Sequence, residues 1–287
     1  MNPLLLQTGA EQEIAPGVHV VPDRRVNLVP NVGIVLGDAA ALVVDTGMGP
    51  ANGRLALDAA RRLAGDRRLL LTLTHFHPEH GFGAQTFVDE ATIVYNRTQA
   101  EELAESGREF VAMFSEFGPE VAELLADVEI VQPHETYEGE TELDLGNRTV
   151  ELRELGGAHT RGDQLVLLPA EGVLFAGDLV ENRFFPILFG DVAHGPAWID
   201  ALDRLAELGA ERVVPGHGEV GGPELIRDLH AYLVDVRDAV AGRMEAGQDV
   251  ETIAAELGPE IRARYESWDN PEWIDFAIRN FHREASA

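Results

Sequence analysis

The chain has 287 residues, 45% of them hydrophobic, which suits one large domain or two small ones and excludes global disorder, and no apolar run approaches the length of a membrane span. The net charge is −28 and the sequence contains no lysine, so its surface repels nucleic acid and anionic membrane and neither is an expected partner. There is no cysteine, which excludes disulfides and thiolate ligands and leaves nitrogen and oxygen as the only donors for a metal.

Residues Met1-Asn2-Pro3-Leu4-Leu5-Leu6-Gln7 lack the basic start and long apolar core of a signal peptide, so a cytoplasmic location is expected. From Val18 to Gly47 the pattern is β: 19–22, 31–38 and 41–47 read as strands, with Gly37-Asp38 in a turn. Helical periodicity follows over 52–64, with Leu55, Ala59 and Leu63 on one face. Strands are predicted at 69–74 and 91–95, which completes one strand–helix–strand unit. Residues 97–126 read as acidic helix broken at Gly107 and at Gly118-Pro119, an insertion over one edge of the fold. The β pattern returns at 128–131, 141–145, 149–155, 164–168 and 173–176. An apolar, aromatic loop spans 182–196, then a helix over 197–208, a strand at 212–214 and a long helix over 223–246. Helical segments with Trp268 and Trp273 close the chain. Two halves that each run from β to α suggest a pseudo-duplicated sandwich with helices outside.

The stretch Leu69-Leu70-Leu71-Thr72-Leu73-Thr74-His75-Phe76-His77-Pro78-Glu79-His80 carries the chemistry. Its apolar half is the pattern of a strand buried on both faces. His75 and His77 are two apart, so an extended chain points both imidazoles the same way. Pro78 cannot continue the strand, and the turn it starts can bring Glu79 and His80 to the same space. One histidine after a strand is ordinarily a satisfied polar group; this density of imidazole and carboxylate suits zinc, iron or manganese. Further candidates end other strands or sit in turns. They are His159 in Gly156-Gly157-Ala158-His159-Thr160-Arg161-Gly162-Asp163, Asp178 after Phe175-Ala176-Gly177, and His217 in Pro215-Gly216-His217-Gly218. Each is weak alone, since a Gly-His-Gly is usually a turn.

In this order and spacing the pieces closely resemble the metallo-β-lactamase superfamily of metal-dependent hydrolases. The resemblance runs from about Val18 to Gly222 and includes Val43-Val44-Asp45-Thr46-Gly47. It implies an α/β (α+β) fold, a four-layer αββα sandwich with metals at one edge between two sheets. The catalytic domain would cover 1–222, with a helical insertion at about 97–127, and 223–287 would be a helical C-terminal extension packed on it. The resemblance also implies one metal on His75, His77 and His159, a second on Glu79, His80 and His217, and Asp178 bridging them. Asp45 would brace the ligand loop. The bridging carboxylate is similar to that of glyoxalase II-like members rather than of lactamases that use a cysteine there. The departure is Glu79, where the family's His-x-His-x-Asp-His motif has aspartate. Glu79 either coordinates the second metal from a shifted backbone or hydrogen-bonds a metal-bound water.

The implied function is hydrolysis by a metal-bound hydroxide, held in line by Glu79 or Asp178, that attacks the carbonyl of a small-molecule ester, thioester, lactone or amide. The expected cofactor is zinc, one or two ions, with iron or manganese as alternatives. Competing functions are a non-haem iron oxidoreductase of the same fold acting on persulfides or oxygen, β-lactamase-like amide hydrolysis, and a scaffold with a degenerate site. Against the last, all seven positions hold metal-competent residues. Phe184, Phe185 and Phe189 are the candidate substrate-binding wall, because their loop leaves directly from Asp178. Phe110, Met113, Phe114 and Phe117 sit at helical spacing and read as a packed helix face, with a lid as the alternative. His194 reads as a surface residue, and His19, His134, His230 and His282 as structural. Arg161 could meet a substrate carboxylate or one of the chain's own acids. The oligomeric state is open, a homodimer being one option.

Overall fold

A computed structural model describes residues 2–190 and 192–286. Strands β1 (Gln12–Ala15), β2 (Val18–Val21), β3 (Val32–Leu36), β4 (Ala40–Val44), β5 (Arg68–Thr72), β6 (Ala91–Asn96) and β7 (Glu135–Tyr137) form one sheet in chain order. Pairing is antiparallel from β1 to β4 and parallel from β4 to β7. The second sheet runs β12–β11–β10–β9–β8, from β8 (Glu140–Asp144), β9 (Thr149–Glu154), β10 (Gln164–Leu168), β11 (Val173–Gly177) and β12 (Arg212–Pro215). Only β11 and β12 pair in parallel there. The helices are α1 (Gly49–Ala64), α2 (Pro78–Gly81), α3 (Arg97–Ser115), α4 (Pro119–Leu125), α5 (Gly195–Glu207), α6 (Glu224–Glu245), α7 (Val250–Arg264) and α8 (Ile274–Ser286).

The apolar pattern sorts into layers. Val20, Val35, Leu42 and Leu70 of the first sheet meet Leu152, Val166, Phe175 and Val214 of the second in the central core. The alternate residues Ile34, Val43, Leu69 and Leu71 face outward against α1, α3 and α4. On the far side, Leu165, Leu174 and Val213 meet α5, α6, α7 and α8. This is the expected four-layer α/β sandwich. A strand such as β5, which must bury both faces, has to be a continuous apolar run, and that is why it was visible in the sequence. No helix among the described residues is long and apolar enough to cross a membrane.

Two local expectations are corrected, and two strands were missed. Gly107 does not break the insertion helix: α3 runs through it, with the Ile130 side chain lying against the glycine. That packing outweighs the roughly 1 kcal/mol by which glycine disfavours a helix. Residues 128–131 form no strand, because the edge of β6 is taken by His134 and β7. The short strands β1 and β7 had no sequence signal.

The segment from 223 onward packs as part of the sandwich. Helix α6 covers the second sheet beside α5, and α7 and α8 complete the same core cluster. The Asn280 amide accepts from Gly195 N (3.0 Å) and donates to Ala193 O (2.7 Å), tying α8 to the loop before α5. Phe281 is buried, with its ring against Gly195. Phe281→Ala should therefore cost about 3–5 kcal/mol in denaturant unfolding and shift one cooperative transition. An unmoved main transition, with separate early loss of the tail, would show that the tail is peripheral.

Candidate metal centre

The sequence-predicted ligands meet at one end of the sandwich, beyond the C-terminal ends of four strands. Asp45 follows β4, His75 follows β5, Asp178 follows β11 and His217 follows β12, while His159 lies between β9 and β10. Pro78 starts α2, which places Glu79 and His80 in its single turn. Gly216 gives Asp178 its space: a Cβ there would lie 1.8 Å from Asp178 Oδ1.

Two clusters result. His75, His77 and His159 form one, with ring centroids 4.6–4.8 Å apart and His77 Nδ1 3.0 Å from His159 Nε2. Glu79, His80, Asp178 and His217 form the other; within each cluster one donor atom per residue lies within 4.8 Å of the rest. Asp178 sits between them. Its Oδ2 is 3.8 Å from His75 Nε2 and 3.7 Å from His159 Nε2, and its Oδ1 is 3.1 Å from His80 Nε2 and 3.8 Å from His217 Nε2.

Asp45 sets the imidazole orientations. It is buried and left-handed at φ 66°, a conformation that costs about 1 kcal/mol outside glycine. Its Oδ1 accepts from Thr74 N (2.7 Å), and its Oδ2 accepts from Thr74 Oγ1 (2.9 Å) and His80 Nδ1 (2.8 Å). Because Thr74 Oγ1 donates to Asp45, it accepts from His75 Nδ1 at 3.2 Å. His217 Nδ1 donates to Val29 O at 3.1 Å. These partners place a proton on Nδ1 of His75, His80 and His217 and turn each Nε2 toward the site.

The donors fit a divalent cation. Burial holds His75, His77 and His217 below the usual imidazole range and takes His159 down to about 4, so these rings are neutral at pH 7. Burial pushes the Glu79 carboxyl up to about 7 against the pull of His80. Burial would also raise Asp178 and lower His80, but their mutual attraction wins, holding Asp178 well below and His80 well above their ordinary values. His75 Nε2 and Glu79 Oε2 are buried with no hydrogen-bond partner, and buried His80 Nε2 and Asp178 Oδ1 have only each other, at 3.1 Å. An unsatisfied buried polar atom costs about 1–3 kcal/mol, and cations among these atoms would satisfy all four.

A cavity of ≈ 550 Å³ opens on the clusters and is lined by His77, Glu79, His159, Asp178 and His217. Its apolar wall is not the one expected. Phe189 lines it, but Phe184 and Phe185 do not. Phe185 is 0% exposed among Tyr232, Tyr265 and Trp268, and Phe184 is buried beneath the Arg25 guanidinium, 4.6 Å from its ring centre. Phe185 belongs to the core because α6 and the tail offer it an aromatic nest. Phe110, Met113 and Phe114 of α3 and Phe117 just after it, read as a packed helix face with a lid as the alternative, also line the cavity, and Phe110 stacks on His77 at 5.1 Å. Ile187 and Val192 of the loop after β11, Trp273 and Phe276 of the tail, and Asn27 and Leu28 of the β2–β3 loop complete the lining.

Other residues were missed or undecided. Asp163 accepts from the backbone N–H of Ala158, His159 and Thr160, and Glu102 accepts from Arg161 N and Gly162 N, so two buried acids clamp the His159 turn. An aspartate four residues after a histidine in a glycine-rich turn was the available signal for the first. Glu181 is buried with both oxygens unpartnered, and burial, then the Asp178 charge, pushes its carboxyl well above the usual range. Arg161 pairs with Glu102 and Glu105 rather than facing the cavity, and His194 pairs with Glu284.

A family model described as the metallo-beta-lactamase superfamily matches residues 26–217. The acyl-coenzyme A thioesterase MBLAC2 of Bos taurus is 28% identical over 213 residues, 68% of this chain and 75% of that protein. Among solved structures, a metallo-beta-lactamase family protein from Thermus thermophilus superposes with a TM-score of 0.66 at 20% identity, covering 96% of both chains. The inverting sec-alkylsulfatase Pisa1 from Pseudomonas sp. gives a TM-score of 0.72 at 15% identity over 96% of this chain, which spans only 50% of that one. The last two likenesses concern the fold.

Asp45→Asn tests the orienting role. It keeps the shape but turns a donor toward His80 Nδ1, which then accepts and carries its proton on Nε2, facing the site. Zinc affinity should fall about 10–100-fold in a competition titration with the fold intact. Unchanged affinity would remove Asp45 from the account.

Proposed function

The chain belongs to the metallo-beta-lactamase superfamily of hydrolases, and from that premise we propose that it uses two zinc ions to hydrolyse a carbonyl ester, thioester, lactone or amide of a small molecule. The observation that carries this reading is Asp178, with one carboxylate oxygen toward each histidine cluster. His75, His77 and His159 would hold one ion, and Glu79, His80 and His217 the other, with Asp178 shared. Imidazole and carboxylate donors suit zinc. Bound there, zinc would lower the pKa of a water to roughly 7 and polarise a carbonyl oxygen.

The chain's own groups supply the rest. It has no cysteine, and no serine among the described residues lines the cavity, so water attacks directly. The unpartnered Glu79 Oε2 belongs to a residue that lines the cavity; together with Asp178 it holds the attacking water in line and accepts its proton. That proton then passes to the leaving oxygen, sulfur or nitrogen as the bond to the carbonyl carbon breaks. The Nε2 atoms of His75, His80 and His217 stay aimed inward because Nδ1 is engaged by Thr74, Asp45 and Val29. The aromatic wall orders the non-reacting part of the substrate and excludes bulk water.

Two experiments test the reading. Chelation should abolish hydrolysis of aryl esters or thioesters, and added zinc should restore it; activity that survives full metal removal would overturn the proposal. Glu79→Gln keeps length and loses charge, so at one fixed free-zinc concentration it should bind less of the second ion and turn over about 10²–10⁴-fold more slowly. Glu79→Asp should also slow turnover by withdrawing the carboxylate about one bond length. Two tightly bound ions and full rate in the Gln variant would contradict the role given to Glu79.

A further inference from the structure

Building on the hydrolase reading, we propose that the site selects substrates whose non-reacting end is apolar and uncharged, and discriminates against those carrying a second anionic group there. Every ionisable residue lining the cavity among the described residues belongs to the metal clusters. The rest of the lining is apolar except Asn27. Three separate parts of the chain supply that wall: Phe110 and Met113 from α3, Ile187 and Phe189 from the loop after β11, and Trp273 and Phe276 from the tail.

No arginine among the described residues lines the cavity, although arginine is the chain's only strong base. Two arginines of the flanking elements are engaged elsewhere. Arg25 pairs with Glu219 and Asp269, donates to the carbonyls of Asn182 and Arg183, and covers Phe184. Arg161 pairs with Glu102 and Glu105. A carboxylate at the far end of a substrate would be desolvated against aromatic rings with no cation to meet it. The net charge of −28 adds a general repulsion on approach, which salt screens. An anionic reacting group is a different matter, because bound cations would meet it.

The test compares p-nitrophenyl octanoate with mono-p-nitrophenyl suberate on the zinc-loaded protein; the acyl chains have equal length and only the second ends in a carboxylate. The neutral ester should have a kcat/KM at least about tenfold higher, as for a buried group left unpaired. Shortening it to the hexanoate should lower kcat/KM by about fourfold per methylene removed. Binding of octanoate and suberate, measured by isothermal titration calorimetry, should show at least about the same tenfold preference for octanoate. Met113→Arg, which sets a cation in the wall, should narrow both ratios while metal content is retained. Equal or better kcat/KM and affinity for the suberate partners would overturn the proposal. Hydrolysis of neither ester would count against the hydrolase reading, and the binding pair would then still decide this one.

Discussion

Three hydrogen bonds converge on the buried Asp45 carboxylate, from Thr74 N, Thr74 Oγ1 and His80 Nδ1, and the placing of the first ligands follows from them. They tie the end of β4 to the chain leaving β5 and to the helical turn that carries Glu79. Through Thr74 they also fix His75. The left-handed backbone at Asp45 is the local cost, and imidazoles whose Nε2 atoms face the site are the return. The histidines of the second half have separate braces, Asp163 on the His159 turn and, from the first half, Val29 O on His217. Asp178 then stands where the two halves meet.

The same architecture explains the cavity. Strand ends alone would leave the clusters open to solvent on one side. The insertion α3 and the tail after α7 flank that side, so residues remote in sequence make one apolar wall. Of the residues that line the cavity, Phe117 and Phe189 stay 57% and 46% exposed, whereas Phe114 of α3 is buried. The cavity wall and the core therefore draw on the same aromatic residues, and a helix face can serve both.

Much of the layer order was legible because period-2 and continuous apolar runs report how many faces a strand buries; β5 and its histidines are the clearest case. The candidate donors were legible for a different reason, since dense imidazole and carboxylate at strand ends has few other uses. The wall was less so. An apolar residue in a loop gives the same signal whether it faces a cavity or a core, and Phe185 and Phe189 differ only in what the tail puts beside them. Gly107 and residues 128–131 failed likewise, because Ile130 and β7 decide them from outside the local sequence. The clamps at Asp163 and Glu102 depend on long-range loop geometry that no periodicity encodes.

The claim on which the account rests is that Asp178 joins two ion sites built from separate histidine clusters. The most direct measurement is metal stoichiometry by elemental analysis of zinc-loaded, desalted protein, for the wild type, His77→Ala and His217→Ala, each checked for native secondary structure. The account predicts two ions per chain in the wild type and about one in each variant, since each loses a ligand of one cluster only. A folded wild type that retains no metal, or variants that keep the full wild-type content, would contradict it.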